Sequence, residues 1–67
     1  MTITLNNRTE SFKLETYTIK ELLAEKKFTF KNLVIKVNGN LIKKDKYSET
    51  KVKDGDKVDI IHMISGG

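Results

Sequence analysis

Asp54-Gly55-Asp56-Lys57-Val58-Asp59-Ile60-Ile61-His62-Met63-Ile64-Ser65-Gly66-Gly67 is the stretch on which the fold turns. Asp54-Gly55-Asp56 has the chemistry of a tight turn, since glycine reaches positive φ without steric cost and aspartate can hydrogen-bond its own backbone. From Lys57 the chain alternates, with Val58 and Ile60 on the inner side of a strand. That strand runs on through Ile61-His62-Met63-Ile64 into Gly66-Gly67. Lacking Cβ atoms, two glycines keep the last carbonyl unhindered and narrow enough to enter an enzyme channel. On this reading the Gly67 carboxylate is the functional group and the other residues present it. A frayed end that happens to carry glycine is the competing reading.

The rest of the chain is read by working outward from this strand. Leu33-Val34-Ile35-Lys36-Val37 is β-branched, with Leu33, Ile35 and Val37 on the expected inner face. Asn38-Gly39 follows, the strongest short hairpin signal, and Leu41-Ile42 forms a brief returning strand. Lys43 to Lys53 is polar apart from Tyr47 and Val52 and reads as loop with one helical turn. At the other end Thr2-Ile3-Thr4-Leu5-Asn6 alternates, Asn6-Asn7-Arg8-Thr9 supplies a turn, and Glu10-Ser11-Phe12-Lys13-Leu14 alternates again as the second arm of a hairpin. Thr18 and Glu21 have the spacing of a capping box, and Ile19, Leu22 and Leu23 then share one helical face. The helix is expected at about 19–26, with Lys26 and Lys27 at the negative end of its dipole.

The predicted order is strand, strand, helix, strand, short strand, strand. This is an α+β, β-grasp (ubiquitin-like) arrangement: a mixed sheet of about five strands packed on one helix. If the first and last strands pair in the middle of the sheet, the final strand is held firmly while its end projects. The candidate core is Ile3, Leu5, Phe12, Leu14, Ile19, Leu22, Leu23, Leu33, Ile35, Val37, Val58 and Ile60.

Length and composition restrict what such a core can do. Residues 1–67 make one domain, with a Gly-Gly tail at about 65–67. A chain this short buries a modest fraction of its surface and has no room for a deep pocket beside its core. That argues against a self-contained enzyme, and no catalytic residue is assigned. Cysteine is absent, so no disulfide or thiolate metal site is expected. The Asp54, Asp56, Asp59 cluster has fewer oxygen ligands than a calcium loop needs, and turn formation suffices to explain it. The N-terminus lacks the features of a signal peptide, and no segment approaches the length of a membrane span. A soluble cytoplasmic protein is therefore expected. Net charge is +4, from 13 basic and 9 acidic residues. Apart from Arg8 the basic residues are scattered lysines, without the arginine and interleaved aromatics of nucleic-acid binders. A lysine-rich surface steering the chain toward acidic partners is the preferred reading.

These motifs, in this order, resemble the ThiS family, the sulfur carriers of thiamine biosynthesis. Thr18-Ile19-Lys20-Glu21-Leu22-Leu23 is similar to the start of that family's helix, and Val37-Asn38-Gly39 to its "VNG" strand end. Asp54-Gly55-Asp56 matches its "DGD" turn, and Gly66-Gly67 its reactive tail. After the VNG turn the family often has proline, a basic residue and then tryptophan. This chain has Lys43, Lys44 and Tyr47, so contacts are not carried over to those positions. The resemblance implies a carrier that is not itself an enzyme and binds no cofactor. An E1-like (ThiF-like) adenylating enzyme would use MgATP to activate Gly67. A cysteine desulfurase or rhodanese-like donor would supply sulfur to form a thiocarboxylate, which a ThiG-like thiazole synthase would consume. Gly66 would keep the approach thin. A molybdopterin-synthase-type sulfur carrier or a ubiquitin-like protein modifier is the alternative.

The residues before the glycines, Ser65, Ile64, Met63 and Ile61, are the candidate partner-binding positions. Alternation turns some of them away from the core, where they would form an exposed apolar patch; the competing reading is that they complete the core or pair at the sheet edge. His62, the single histidine, lacks a nucleophile or a convincing carboxylate partner in the sequence. A solvent-facing strand position explains it, with tuning of partner binding near neutral pH as the other option.

Overall fold

Asn6 and Asn7 both adopt positive φ, 50° and 66°, in the computed structural model, which describes residues 1–28 and 32–63. Two successive left-handed residues suit a two-residue hairpin turn, and asparagine tolerates that conformation better than most residues. The strands on either side, β1 (Thr2–Leu5) and β2 (Arg8–Ser11), therefore pair with Leu5 opposite Arg8. The turn is tighter than Asn6-Asn7-Arg8-Thr9, and the second arm begins and ends earlier than the alternation suggests. Leu14 consequently falls beyond the strand and is 52% exposed. Its expected core position is taken by Tyr17, whose ring meets Phe12 edge-on with centroids 5.4 Å apart.

Tyr17 belongs to β3 (Thr16–Thr18), which pairs antiparallel with β6 (Lys51–Lys53) as a separate two-stranded sheet. Neither strand was expected. Between them lie α1 (Ile19–Glu25), β4 (Leu33–Val37), β5 (Asn40–Ile42) and a 3-10 turn at Lys44–Lys46. The last strand, β7 (Lys57–His62), completes a five-stranded sheet of order β2-β1-β7-β4-β5. β1 and β7 run parallel at its centre and the other pairs are antiparallel, as the β-grasp expectation requires.

Local chemistry fixes both ends of α1. The Glu21 N–H donates to Thr18 Oγ1 at 3.1 Å, and Glu21 Oε1 accepts from the Thr18 N–H at 2.8 Å, completing the capping box. Hydrogen bonding from Thr18, its backbone N–H foremost and its side chain second, holds the Glu21 carboxyl below its ordinary value of 4.5. A lowered folded value means this contribution is fully present above pH 4.5 and fades as pH falls through the folded value. Glu21→Gln is expected to flatten the acid limb of a stability-versus-pH profile, measured by urea unfolding at stepped pH. At the other end Lys27 turns left-handed (φ 59°), its N–H bonding Ala24 O while the Phe28 N–H reaches Leu23 O. This pattern is a Schellman closure. Lys26 is thus the C-cap rather than a last-turn residue, and its Nζ pairs with Glu10 Oε1 at 2.5 Å.

Ile19, Leu22 and Leu23 from α1 meet Ile3, Leu5, Ile35, Val37, Val58 and Ile60 from one sheet face. Tyr17, Tyr47 and Val52 seal the same core from the second sheet and the turn before it. Phe12 and Leu33 are only partly buried at its margin.

The VNG and DGD motifs meet in space. Asp56, 8% exposed, accepts from Asn38 Nδ2 at 3.1 Å and from the Lys53 N–H at 3.0 Å. Asn38 Oδ1 in turn accepts from the Lys57 N–H at 2.9 Å, and Asp54 Oδ1 from the Thr2 N–H at 2.7 Å. Asn38 and Gly39 supply the positive φ of the β4–β5 turn, 51° and 84°. These residues lock the start of β7 to both neighbours, so their role is structural. Asp56→Ala is expected to cost about 1–3 kcal/mol by stranding the Asn38 amide and the Lys53 N–H, as read by chemical denaturation.

Candidate functional site

β7 carries the candidate site because it is the central strand and leads to the glycines. Thr4 and Leu5 of β1 sit opposite Lys57 and Val58, and β4 flanks the other side from Val37–Val58 to Leu33–His62. The Met63 N–H extends that antiparallel side by one further bond, 2.6 Å to Asn32 O. The strand is therefore fixed on its β4 side as far as Met63. Ile64, Ser65, Gly66 and Gly67 lie outside the described residues.

Strand alternation sorts the side chains near this end. Val58 and Ile60 are buried under the helix, whereas Ile61 is 48% exposed and faces Val34 across the sheet's uncovered side. Met63, one residue past the strand, is 55% exposed. Of the two readings left open for Ile61 and Met63, the structure selects exposure over completion of the core. Leu41, 61% exposed, joins the same face because β4–β5 pairing sets it opposite Lys36. The sequence reading missed Leu41 as a surface residue. The signal was available, since a two-residue Asn-Gly turn fixes the parity of everything after it. Lys36 is also opposite Asp59, and Lys57 lies beside Thr4, so the apolar positions are bordered by lysines on an open sheet.

His62 falls on the helix side of β7, exposed, with its ring edge-on to Phe28 at 5.5 Å and 86°. The Schellman closure of α1 sets Phe28 there, so the end of the helix and the end of β7 are coupled through two rings. Tyr47 is a core residue, and burial pushes its phenol above the ordinary 10.0. Asp54 and Asp56 spend their carboxylates on backbone and amide donors. Among the described residues no three His, Cys, Asp or Glu side chains cluster in a way that would hold a metal ion. No helix of the described residues is long and apolar enough to cross a membrane.

The ThiS family profile matches residues 3–67. The chain belongs to the ThiS family. The sulfur carrier protein ThiS of Bacillus subtilis (strain 168) is 33% identical over 63 residues, covering 94% of this chain and 96% of that protein. The crystal structure of the thiamine biosynthesis protein ThiS from Geobacter metallireducens superposes with a TM-score of 0.89 at 28% identity, over the full length of both chains. An NMR solution structure of a thiamine biosynthesis protein from the same organism gives 0.83 at 28% identity, covering all of this chain and 88% of that one. The β-grasp arrangement expected from the strand order is thus the ThiS fold, and the capping box, VNG and DGD residues sit at its structural joints.

Proposed function

We propose that this chain, a ThiS-family sulfur carrier of thiamine biosynthesis, carries its sulfur as a thiocarboxylate on Gly67. The observation that supports this most is the central strand β7, held from Lys57 to Met63 and continuing in sequence to Gly66-Gly67. A terminal carboxylate, with an ordinary pKa of about 3.5, is ionised at neutral pH and is a poor electrophile. It has to be activated before sulfur can add.

An E1-like adenylating enzyme provides that activation. A Gly67 carboxylate oxygen attacks the α-phosphorus of MgATP, pyrophosphate leaves, and an acyl-adenylate forms. A persulfide sulfur, originating in cysteine through a desulfurase or rhodanese-like donor, attacks the carbonyl and expels AMP. A thiol then cleaves the resulting acyl disulfide, leaving the thiocarboxylate for thiazole synthase. Gly66 keeps the last residues slender enough for both active sites. Ile61 and Met63, with Ile64 and Ser65 after them, form the surface those partners grip, and the surrounding lysines favour acidic counterparts. The chain binds neither ATP nor metal, and its setting is the cytoplasm.

The reading is tested by isotope exchange between pyrophosphate and ATP with the host's adenylating enzyme. Exchange that requires this chain supports it. Exchange indifferent to the chain contradicts it.

A further inference from the structure

β7 is held unequally on its two sides, and the difference lies directly before the tail. Successive residues of a strand direct their backbone groups to alternate sides. Lys57 O accepts from the Asn38 N–H and the Met63 N–H donates to Asn32 O, so odd-numbered residues face β4. Val58 O accepts from the Asn6 N–H and the Ile60 N–H donates to Asn6 Oδ1 at 2.7 Å, so even-numbered residues face β1. β1, however, ends at Leu5, and the Asn6-Asn7 turn carries the chain away. Asn6 gives its side-chain oxygen to Ile60 as the last partner on that side. Beyond it, among the described residues, the Ile60 carbonyl and the His62 N–H have no hydrogen-bond partner. Ile61, His62 and Met63 are all exposed.

This half-strand differs from the other open edges of the sheet. β5 is followed at once by Lys43 and Lys44, and β2 carries Arg8 with Lys13 just after it, charges that discourage strand addition. Ile60–Met63 has no lysine or proline. One acceptor and one donor, two residues apart and facing the same way, are what the backbone of an added strand engages. In sequence these residues lie directly before Ile64-Ser65-Gly66-Gly67, so whatever holds them bears on where the carboxylate is delivered.

We infer that the free side of β7 from Ile60 to Met63 receives an extended segment of the enzyme that charges Gly67, adding a strand where β1 stops. The inference rests on the carrier reading and adds the mode of docking to it. The His62 backbone N–H positions the tail through this pairing and takes no part in the chemistry.

Amide hydrogen exchange at His62 is measured on the intact chain, alone and with saturating adenylating enzyme, alongside charging kinetics of His62→Pro and His62→Ala. Both variants lose the ring, but only proline removes the donor on the free side, and the β4 pairing through Ile61 and Met63 is spared. The expected results are slowed exchange of the His62 amide in the complex, and a KM for the proline variant about tenfold above that of alanine with kcat held. That ratio corresponds to one well-made hydrogen bond. Should proline prevent folding, exchange on the unaltered chain still decides. Charging of the unaltered chain with unchanged His62 exchange, or equal KM values for two folded variants, overturns the inference and leaves the carrier reading standing. No charging of the unaltered chain removes the carrier reading, and the inference with it.

Discussion

Deletion of Gly67 is expected to abolish ATP-dependent charging while leaving the unfolding free energy within about 0.5 kcal/mol of the full chain. The two effects separate because they depend on different parts of the chain. Among the described residues, the last core position on β7 is Ile60 and the last backbone hydrogen bond fixing the strand is that of Met63. Shortening the chain by one residue draws the reactive carboxylate back by about 3.3 Å, the rise of an extended residue. Transfer reactions need reacting atoms placed to a fraction of that distance. Gly66→Val tests the same point without changing reach, by adding a branched side chain at the narrowest step. Charging of the shortened chain at the full rate would remove Gly67 from its assigned role.

Leu22→Ala is expected to have the largest effect on stability, about 2–5 kcal/mol. Leu22 is fully buried at the centre of the contact between α1 and the sheet. A helix of seven residues does not persist alone in water, so its existence depends on that packing. The loss is a large part of the whole, since small domains are stable by about 5–15 kcal/mol at most. The thermal midpoint should fall by about 4–8 °C for each kcal/mol. A drop below about 1 kcal/mol would mean that the site collapses without a cavity, contrary to the packing described.

The elements that were legible in the sequence are those whose signal is local. Thr18 and Glu21 fix the start of α1 by a contact three residues apart, and Asn38-Gly39 fixes its turn by the backbone freedom of two residues. β4 and β7 were legible because several inner-face residues recur along each. β3 and β6 were hidden because each carries a single inward residue, Tyr17 or Val52, between polar neighbours. Their pairing joins Tyr17 to Val52, far apart in sequence, so no window along the chain contains it. Leu14 misled for a related reason: its hydrophobicity suggested a continuing strand, but Ser11 ends β2. The Met1 ammonium takes the Phe12 carbonyl at 2.9 Å, in register with the β1–β2 ladder, and the Leu14 carbonyl just beyond it at 2.7 Å.

The candidate site divides in the same way. The Gly-Gly end and the strand before it could be read directly from the sequence. The exposure of Ile61 and Met63 needed the strand parity that only the β4–β7 register supplies. The free side of β7 was not legible at all, because it depends on where a different strand, β1, happens to stop. Asp54 and Asp56, read as turn residues in the sequence, prove to be structural joints once Asn38 and Thr2 are seen beside them.

Intact-mass analysis of the chain isolated from its native host, with fragmentation to locate the change, tests the central claim most directly. The account predicts a population in which one oxygen is replaced by sulfur, confined to Gly67. Chains joined through Gly67 to lysines of other proteins, or an unmodified terminus even after incubation with the adenylating enzyme, ATP and a persulfide donor, would contradict it.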